Sequence, residues 1–224
     1  MIKIGIDVGS TTAKWFAVDE NDNLLFSKYE RHNAKAKETI LSFLKELLSE
    51  IGDKDISVRI TGSIGMGISE KCSLPFVQEV VAAAKAIQKD YSHVTSMIDI
   101  GGEDAKVVFF KDAEATDLRM NGNCAGGTGA FIDQMAIILG VNIDELNQLA
   151  MNATQVYPIA SRCGVFCKTD IQNLIAKNVS RENIAASIFR AVAVQTVVTL
   201  AHGCDITTPV LFCGGPLTFI PALR

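Results

Sequence analysis

Two short segments of this chain hold residue types suited to phosphate chemistry, and both are written in the same order. Asp7-Val8-Gly9-Ser10-Thr11-Thr12-Ala13-Lys14 and Asp99-Ile100-Gly101-Gly102-Glu103-Asp104-Ala105-Lys106 share Asp, Gly, Ala and Lys in one register. Gly9 lets backbone approach a ligand closely. Ser10, Thr11 and Thr12 offer hydroxyls and N–H donors, and Lys14 can neutralise anionic charge. Asp7 follows an apolar run and can hold a hydrated magnesium ion, and Asp99 can do so from the second copy. One copy alone reads equally well as an ordinary polar hairpin turn. Two copies favour facing cradles that grip a polyphosphate and its metal from both sides. A third element, Cys213-Gly214-Gly215-Pro216, follows the apolar run Pro209 to Phe212 and opens a helix. Paired glycines there let a flat group such as adenine or ribose lie against the backbone, although Gly-Gly by itself is more often a turn than a site. The Walker pattern Gly-x-x-x-x-Gly-Lys-Ser/Thr does not occur.

These residues need strands and helices to hold them. Each repeated segment is preceded by a β-branched run (Ile2 to Ile6; Val94 to Ile100) and followed by another (Trp15 to Val18; Val107 to Phe110). That pattern predicts strand, tight turn, strand, twice. Duplication then predicts two lobes, residues 1–91 with the first phosphate loop and residues 92–224 with the second loop and the Gly-Gly turn. Periodicity places helices near 36–50, 76–90, 127–139, 144–151, 168–177 and 181–202, and further strands near 24–31, 56–61, 113–118 and 209–213. Ile40, Leu41, Phe43, Leu44, Leu47 and Leu48 form the apolar stripe of the first helix. The mixture is an α/β fold.

Composition narrows the function classes. The chain has 224 residues, 48% hydrophobic and 21% charged, with a formal net charge of −4. No run of five or six like charges occurs, so the electrostatic footprint of a nucleic-acid binder is missing. The strongly apolar stretch Ala185 to Ala201 is interrupted by Arg190 and Gln195 and falls short of a membrane span, so no membrane partner is expected. Met1 to Asp7 shows no export signal, which predicts a cytoplasmic location. Six cysteines, at 72, 124, 163, 167, 204 and 213, are expected to be reduced thiols. Cys72, Cys204 and Cys213 sit in apolar or strand-like contexts and read as buried thiols. His32, His93 and His202 lack partners at metal-ligand spacing and read as surface or satisfied histidines.

Taken in order, the two loops and the late Gly-Gly turn resemble the superfamily of acetate kinase, sugar kinases, heat-shock chaperones and actin. The resemblance implies a two-lobed, duplicated ribonuclease-H-like fold with ATP bound in the cleft between lobes. Two cysteine segments narrow the family. Asn121-Gly122-Asn123-Cys124-Ala125-Gly126-Gly127-Thr128-Gly129 and Ser161-Arg162-Cys163-Gly164-Val165-Phe166-Cys167-Lys168-Thr169-Asp170 each put a thiol before a helix start. A helix dipole stabilises a thiolate there, which suits a metal or cluster ligand. With the Asp-Ile-Gly-Gly-Glu-Asp-Ala-Lys loop, these segments closely resemble the ATPase activators of 2-hydroxyacyl-CoA dehydratases and the ATPase subunits of benzoyl-CoA reductases, from residue 3 to about residue 222.

The resemblance implies an ATP-hydrolysing activator that drives a low-potential electron into a dehydratase or reductase partner, with reduced ferredoxin or flavodoxin as donor. A homodimer, or a pseudo-dimer of tandem modules, would share one [4Fe-4S] cluster. By position Cys124 and Cys163 match its ligands, and Cys167 is an alternative that the family pattern does not require. Asp7 and Asp99 would organise Mg²⁺, Ser10, Thr11, Thr12 and Lys14 would bind ATP or ADP phosphates, Gly101 and Gly102 would allow backbone contact with phosphate, and Gly214 and Gly215 would line the adenosine pocket. Glu103 departs from the Gln of the dehydratase activators. A carboxylate there could act as general base or repel the γ-phosphate, and it looks more like the large multidomain activases. The chain also ends at Arg224, soon after Gly215, whereas the family continues with a strand and a closing helix, so weak nucleotide binding is expected. The alternative of another class is a sugar or carboxylate kinase, which would need a base for a substrate hydroxyl and no paired thiols. A nucleotide-dependent scaffold of the actin or chaperone kind is a third reading.

Overall fold

The computed structural model describes residues 1–112, 114–121, 125–160 and 164–224. The chain divides into two compact units, Met1–Lys89 and Asp90–Arg224. In the first, β1 (Ile2–Val8), β2 (Thr12–Val18), β3 (Leu24–Arg31) and β4 (Ile56–Thr61) form one sheet in the order β3-β2-β1-β4. β1 is antiparallel to β2 and parallel to β4. A parallel neighbour requires a crossover, and β2, β3 and helix α1 (Ala36–Ile51) supply it. Alternation along β1 puts Ile2, Ile4, Ile6 and Val8 on the buried face, where α1 presents Phe43, Leu47 and Ile51. The Trp15 ring meets Phe43 edge-on, with centroids 6.2 Å apart. Helices α2 (Ser63–Cys72) and α3 (Glu79–Asp90) follow β4.

The second unit repeats the plan. β5 (Ser96–Ile100), β6 (Ala105–Lys111), β7 (Glu114–Asn121) and β8 (Val210–Cys213) form a sheet in the order β7-β6-β5-β8, with β5 antiparallel to β6 and parallel to β8. Strand order and direction match the first sheet, so the duplication read from the two loops extends through both sheets. Here the crossover to β8 is longer and holds α4 (Gly129–Leu139), α5 (Ile143–Met151), α6 (Gly164–Ala176) and α7 (Arg181–Leu200). A short helix α8 (Gly215–Phe219) follows β8 and leads to a 3₁₀ turn at Pro221–Leu223. Ile98, Ile100 and Val107 from the sheet pack with Phe131, Met135, Leu146, Ile171, Ile184 and Ile188 from the helices.

α7 has the length and apolarity of a membrane-crossing helix, which corrects the sequence reading that placed this stretch below that threshold. Its apolar residues surround the helix, and Ile184, Ala185, Ile188, Phe189 and Val192 are buried in the core of the second unit.

Other elements also depart from the periodicity. α2 was not foreseen, because Gly65 and Gly67 each disfavour a helix by about 1 kcal/mol. Packing overrides that cost, since Gly65 lies so close to Ile60 that a Cβ would stand 3.3 Å from Ile60 Cγ1. The helix expected from residue 76 begins at Glu79, because the chain at 75–77 runs beside β4 instead, with Val77 N–H donating to Ile60 O at 2.9 Å. Cys72 is exposed at the end of α2, not buried as expected. Ser73, in the left-handed conformation, ends that helix at the surface. Cys167 is buried, and Cys204 and Cys213 are partly buried.

Candidate functional site

The first loop joins β1 to β2 through a tight turn in which Gly9 N–H donates to Thr12 O at 3.0 Å. Asp7 stands opposite Lys14 across the strand pair. Lys14 Nζ donates to Asp7 Oδ2 at 2.6 Å, while Asp7 Oδ1 is buried without a hydrogen-bond partner. Ser10 and Thr11 sit at the tip with their hydroxyls 3.5 Å apart. The fold itself does not require glycine at 9, because a Cβ there would make only ordinary contact with Thr12 O at 3.8 Å.

The second loop has the same construction. Gly101 N–H donates to Asp104 O at 2.8 Å, and Asp99 stands opposite Lys106. Lys106 is buried and pairs with Asp104 Oδ2 at 2.8 Å. The Asp104 side chain presses on Gly101, where an added Cβ would lie 2.4 Å from Oδ1. Gly102 is half-buried and Glu103 is exposed at the tip.

Each sheet has a second site-forming turn. β8 runs beside β5 so that Cys213 stands opposite Asp99, and Gly214 follows with φ +87°. A Cβ on Gly214 would lie 2.0 Å from Ile100 O and 2.5 Å from Asp99 Oδ1. Only glycine allows this approach, and it sets the Gly214-Gly215 turn against the Asp99 carboxylate. Sequence reasoning missed the counterpart in the first unit. Thr61 stands opposite Asp7, and Gly62 follows with φ +94°, where a Cβ would lie 2.3 Å from Val8 O and 2.6 Å from Asp7 Oδ1. The available signal was positional, a Thr-Gly-Ser turn after the alternating run Ile56-Ser57-Val58-Arg59-Ile60 in the place that Cys-Gly-Gly occupies after β8.

The second loop is joined directly to α4. Gly129 N–H donates to Gly101 O at 2.9 Å and Ala130 N–H to Gly102 O at 2.7 Å, so the loop carbonyls satisfy donors that the first turn of the helix leaves open. Gly129 is wedged among Gly101 O, Gly102 Cα and Pro216 Cγ, each 3.2 to 3.3 Å from where a Cβ would be. Second loop, start of α4 and start of α8 therefore meet at one point. The two cluster-ligand assignments from sequence, Cys124 and Cys163, lie outside the described residues. Among the described residues no group of three or more His, Cys, Asp or Glu is arranged to hold a metal ion. The Cys213 thiol is pushed up to about 11, first by burial and then by the charge of Asp99.

His32 is the other residue that sequence reasoning undervalued. It is 4% exposed, and its Nε2 lies 3.0 Å from Gly9 O.

The sequence model of the BadF/BadG/BcrA/BcrD ATPase family matches residues 4–219. The chain belongs to this family. It is 29% identical over 214 residues to the (R)-2-hydroxyglutaryl-CoA dehydratase activating ATPase of Acidaminococcus fermentans, covering 95% of this chain and 82% of that protein. Its fold matches the crystal structure of component A of that dehydratase from the same organism at a TM-score of 0.88, with 28% identity, over 100% of this chain and 86% of the other. It also matches the activator of 2-hydroxyisocaproyl-CoA dehydratase from Clostridium difficile with bound ADPNP, at a TM-score of 0.86 and 27% identity, over 100% and 83% of the two chains. The resemblance drawn from the two loops and the cysteine segments therefore holds as membership of this ATPase family.

Proposed function

We propose that this ATPase family member hydrolyses ATP to drive a low-potential electron into a 2-hydroxyacyl-CoA dehydratase or related reductase. In this reading Ser10, Thr11, Thr12 and Lys14 bind the β- and γ-phosphates, and Gly101 and Gly102 bring backbone to phosphate. Gly214 and Gly215 line the adenosine pocket. Glu103 orients or activates the attacking water from its exposed position on the second loop. Asp7 and Asp99 would each help to hold Mg²⁺, which would draw negative charge off the phosphates. Each residue is a carboxylate near a strand end, the oxygen donor that a hard cation takes, and Asp7 Oδ1 is buried with nothing to satisfy it.

Cys124 and Cys163 would hold the iron–sulfur group, a one-electron carrier. Such a cluster takes four thiolates, so two per chain imply a pair of chains or of modules around one cluster. The observation that carries the coupling is the pair of hydrogen bonds from Gly129 and Ala130 to the carbonyls of Gly101 and Gly102. Any movement of the second loop on phosphate binding is transmitted to the first turn of α4, the helix that follows Cys124 in sequence. The partner enzyme carries the CoA ester. Reduced ferredoxin or flavodoxin supplies the electron, and the setting is the cytoplasm. The test is anaerobic ATP hydrolysis by the reconstituted protein, followed by reduction of a dehydratase component. Mg²⁺-dependent turnover that accompanies electron delivery supports the reading. Phosphoryl transfer to a sugar or carboxylate, with no electron delivered, replaces it with the kinase reading.

A further inference from the structure

The duplicated loops differ in what holds their first carbonyl. In the second loop Gly101 O accepts from a main-chain donor, Gly129 N–H, at 2.9 Å. The corresponding carbonyl of the first loop, Gly9 O, accepts instead from the imidazole of His32 at 3.0 Å. Because a carbonyl oxygen only accepts, this bond fixes the tautomer with a proton on Nε2. His32 grips the loop a second time through its main chain, with its N–H donating to Thr11 O at 3.2 Å. The residue is itself held. Lys35 N–H donates to His32 O at 2.7 Å across a turn whose central residues, Asn33 and Ala34, both have positive φ, 47° and 62°. An alanine in that conformation is strained and persists only where its surroundings impose it.

We infer that His32 is a positioning residue for phosphate binding, setting the direction of the backbone donors of the first loop. A trans peptide is planar and its C=O and N–H point to opposite edges. Fixing Gly9 O toward His32 turns Ser10 N–H away from it, and fixing Thr11 O does the same for Thr12 N–H. Both donors are thereby held on the side of the turn away from His32, ready for an anion. The inference rests on the reading of this loop as a polyphosphate site. His32 Nδ1, buried and without a partner, takes no part.

The test compares His32→Phe, which keeps ring volume and removes the donor, with His32→Gln, whose amide can donate as Nε2–H does. ADP is the probe in a calorimetric titration, with thermal melting as the folding control. His32→Phe should weaken ADP binding about tenfold and raise KM for ATP more than it lowers kcat, the size expected for one lost hydrogen bond, while His32→Gln recovers most of the loss. Without nucleotide, amide exchange at Ser10 and Thr12 should quicken in His32→Phe and not in His32→Gln. Wild-type affinity together with unchanged exchange in folded His32→Phe overturns the inference. If His32→Phe does not fold, ¹⁵N spectra of the wild-type imidazole decide: the Nε2 signal should shift when ADP is added, and a signal indifferent to bound ADP overturns the proposal. A wild-type protein that binds no ADP refutes the phosphate reading instead, and the exchange measurement still shows whether His32 holds the loop.

Discussion

Asp7 and Asp99 each end a central strand opposite a lysine, and each is abutted by a glycine of positive φ, Gly62 or Gly214. Replacing either aspartate by asparagine keeps the shape and removes the charge. Asp7→Asn and Asp99→Asn should each lower the kcat of ATP hydrolysis by about 100-fold or more, measured as phosphate release, with little change in melting temperature. The glycines make a structural prediction. Gly214→Ala would drive a Cβ to within 2.0 Å of Ile100 O and should destabilise the protein by several-fold more than Gly52→Ala, where φ is also positive but nothing lies within 4 Å. Urea unfolding of the two variants checks the contrast, with the Gly52 variant costing about 1 kcal/mol.

Cys213 supplies the pH prediction. Its raised pKa means that the fold favours the neutral thiol, so the folded state binds more protons than the unfolded one between 9.0 and about 11. Stability from this group is intact below pH 9 and is lost as pH rises toward 11, and little thiolate forms at pH 8. Iodoacetamide at pH 8, followed by peptide mass mapping, should label exposed Cys72 well before Cys213.

At the scale of elements, the sequence was most legible where one residue type repeats with a clear period. The two Asp-x-Gly hairpins, the helix α1 and the Gly-Gly turn after β8 all lie where the pattern put them, but of the expected α1 stripe Phe43 and Leu47 are buried whereas Leu41, Leu44 and Leu48 are exposed. Gly62 and His32 were harder to see because their importance comes from what is brought beside them. Gly62 is defined by its approach to Asp7, and His32 by a carbonyl 23 positions away. α2 was hidden by its own glycines, and α7 looked too short because Arg190 and Gln195 interrupt a helix that is apolar on nearly every side. Its central Ile188 is fully buried. Ile188→Ala should destabilise the second unit by about 2 to 5 kcal/mol in urea unfolding, the usual range for a large-to-small change in a packed core.

On the scale of the whole molecule, duplication organises the function. Both sheets use one strand order and direction, and both bring a hairpin carboxylate beside a glycine turn. The units differ in the long crossover of the second, where α4 is bonded to the second loop and the segments with Cys124 and Cys163 precede α4 and α6 in sequence. That asymmetry separates the electron-transfer reading from the kinase reading, since only the former uses paired thiols. The most direct measurement is therefore anaerobic iron–sulfur reconstitution of the wild-type protein and of Cys124→Ser/Cys163→Ser, followed by visible spectroscopy and iron analysis. The account predicts a brown wild-type protein with a broad absorption band, about four irons for every two copies of the cysteine pair, and loss of both in the double variant. A colourless wild-type protein, or a band that survives removal of both cysteines, would contradict it.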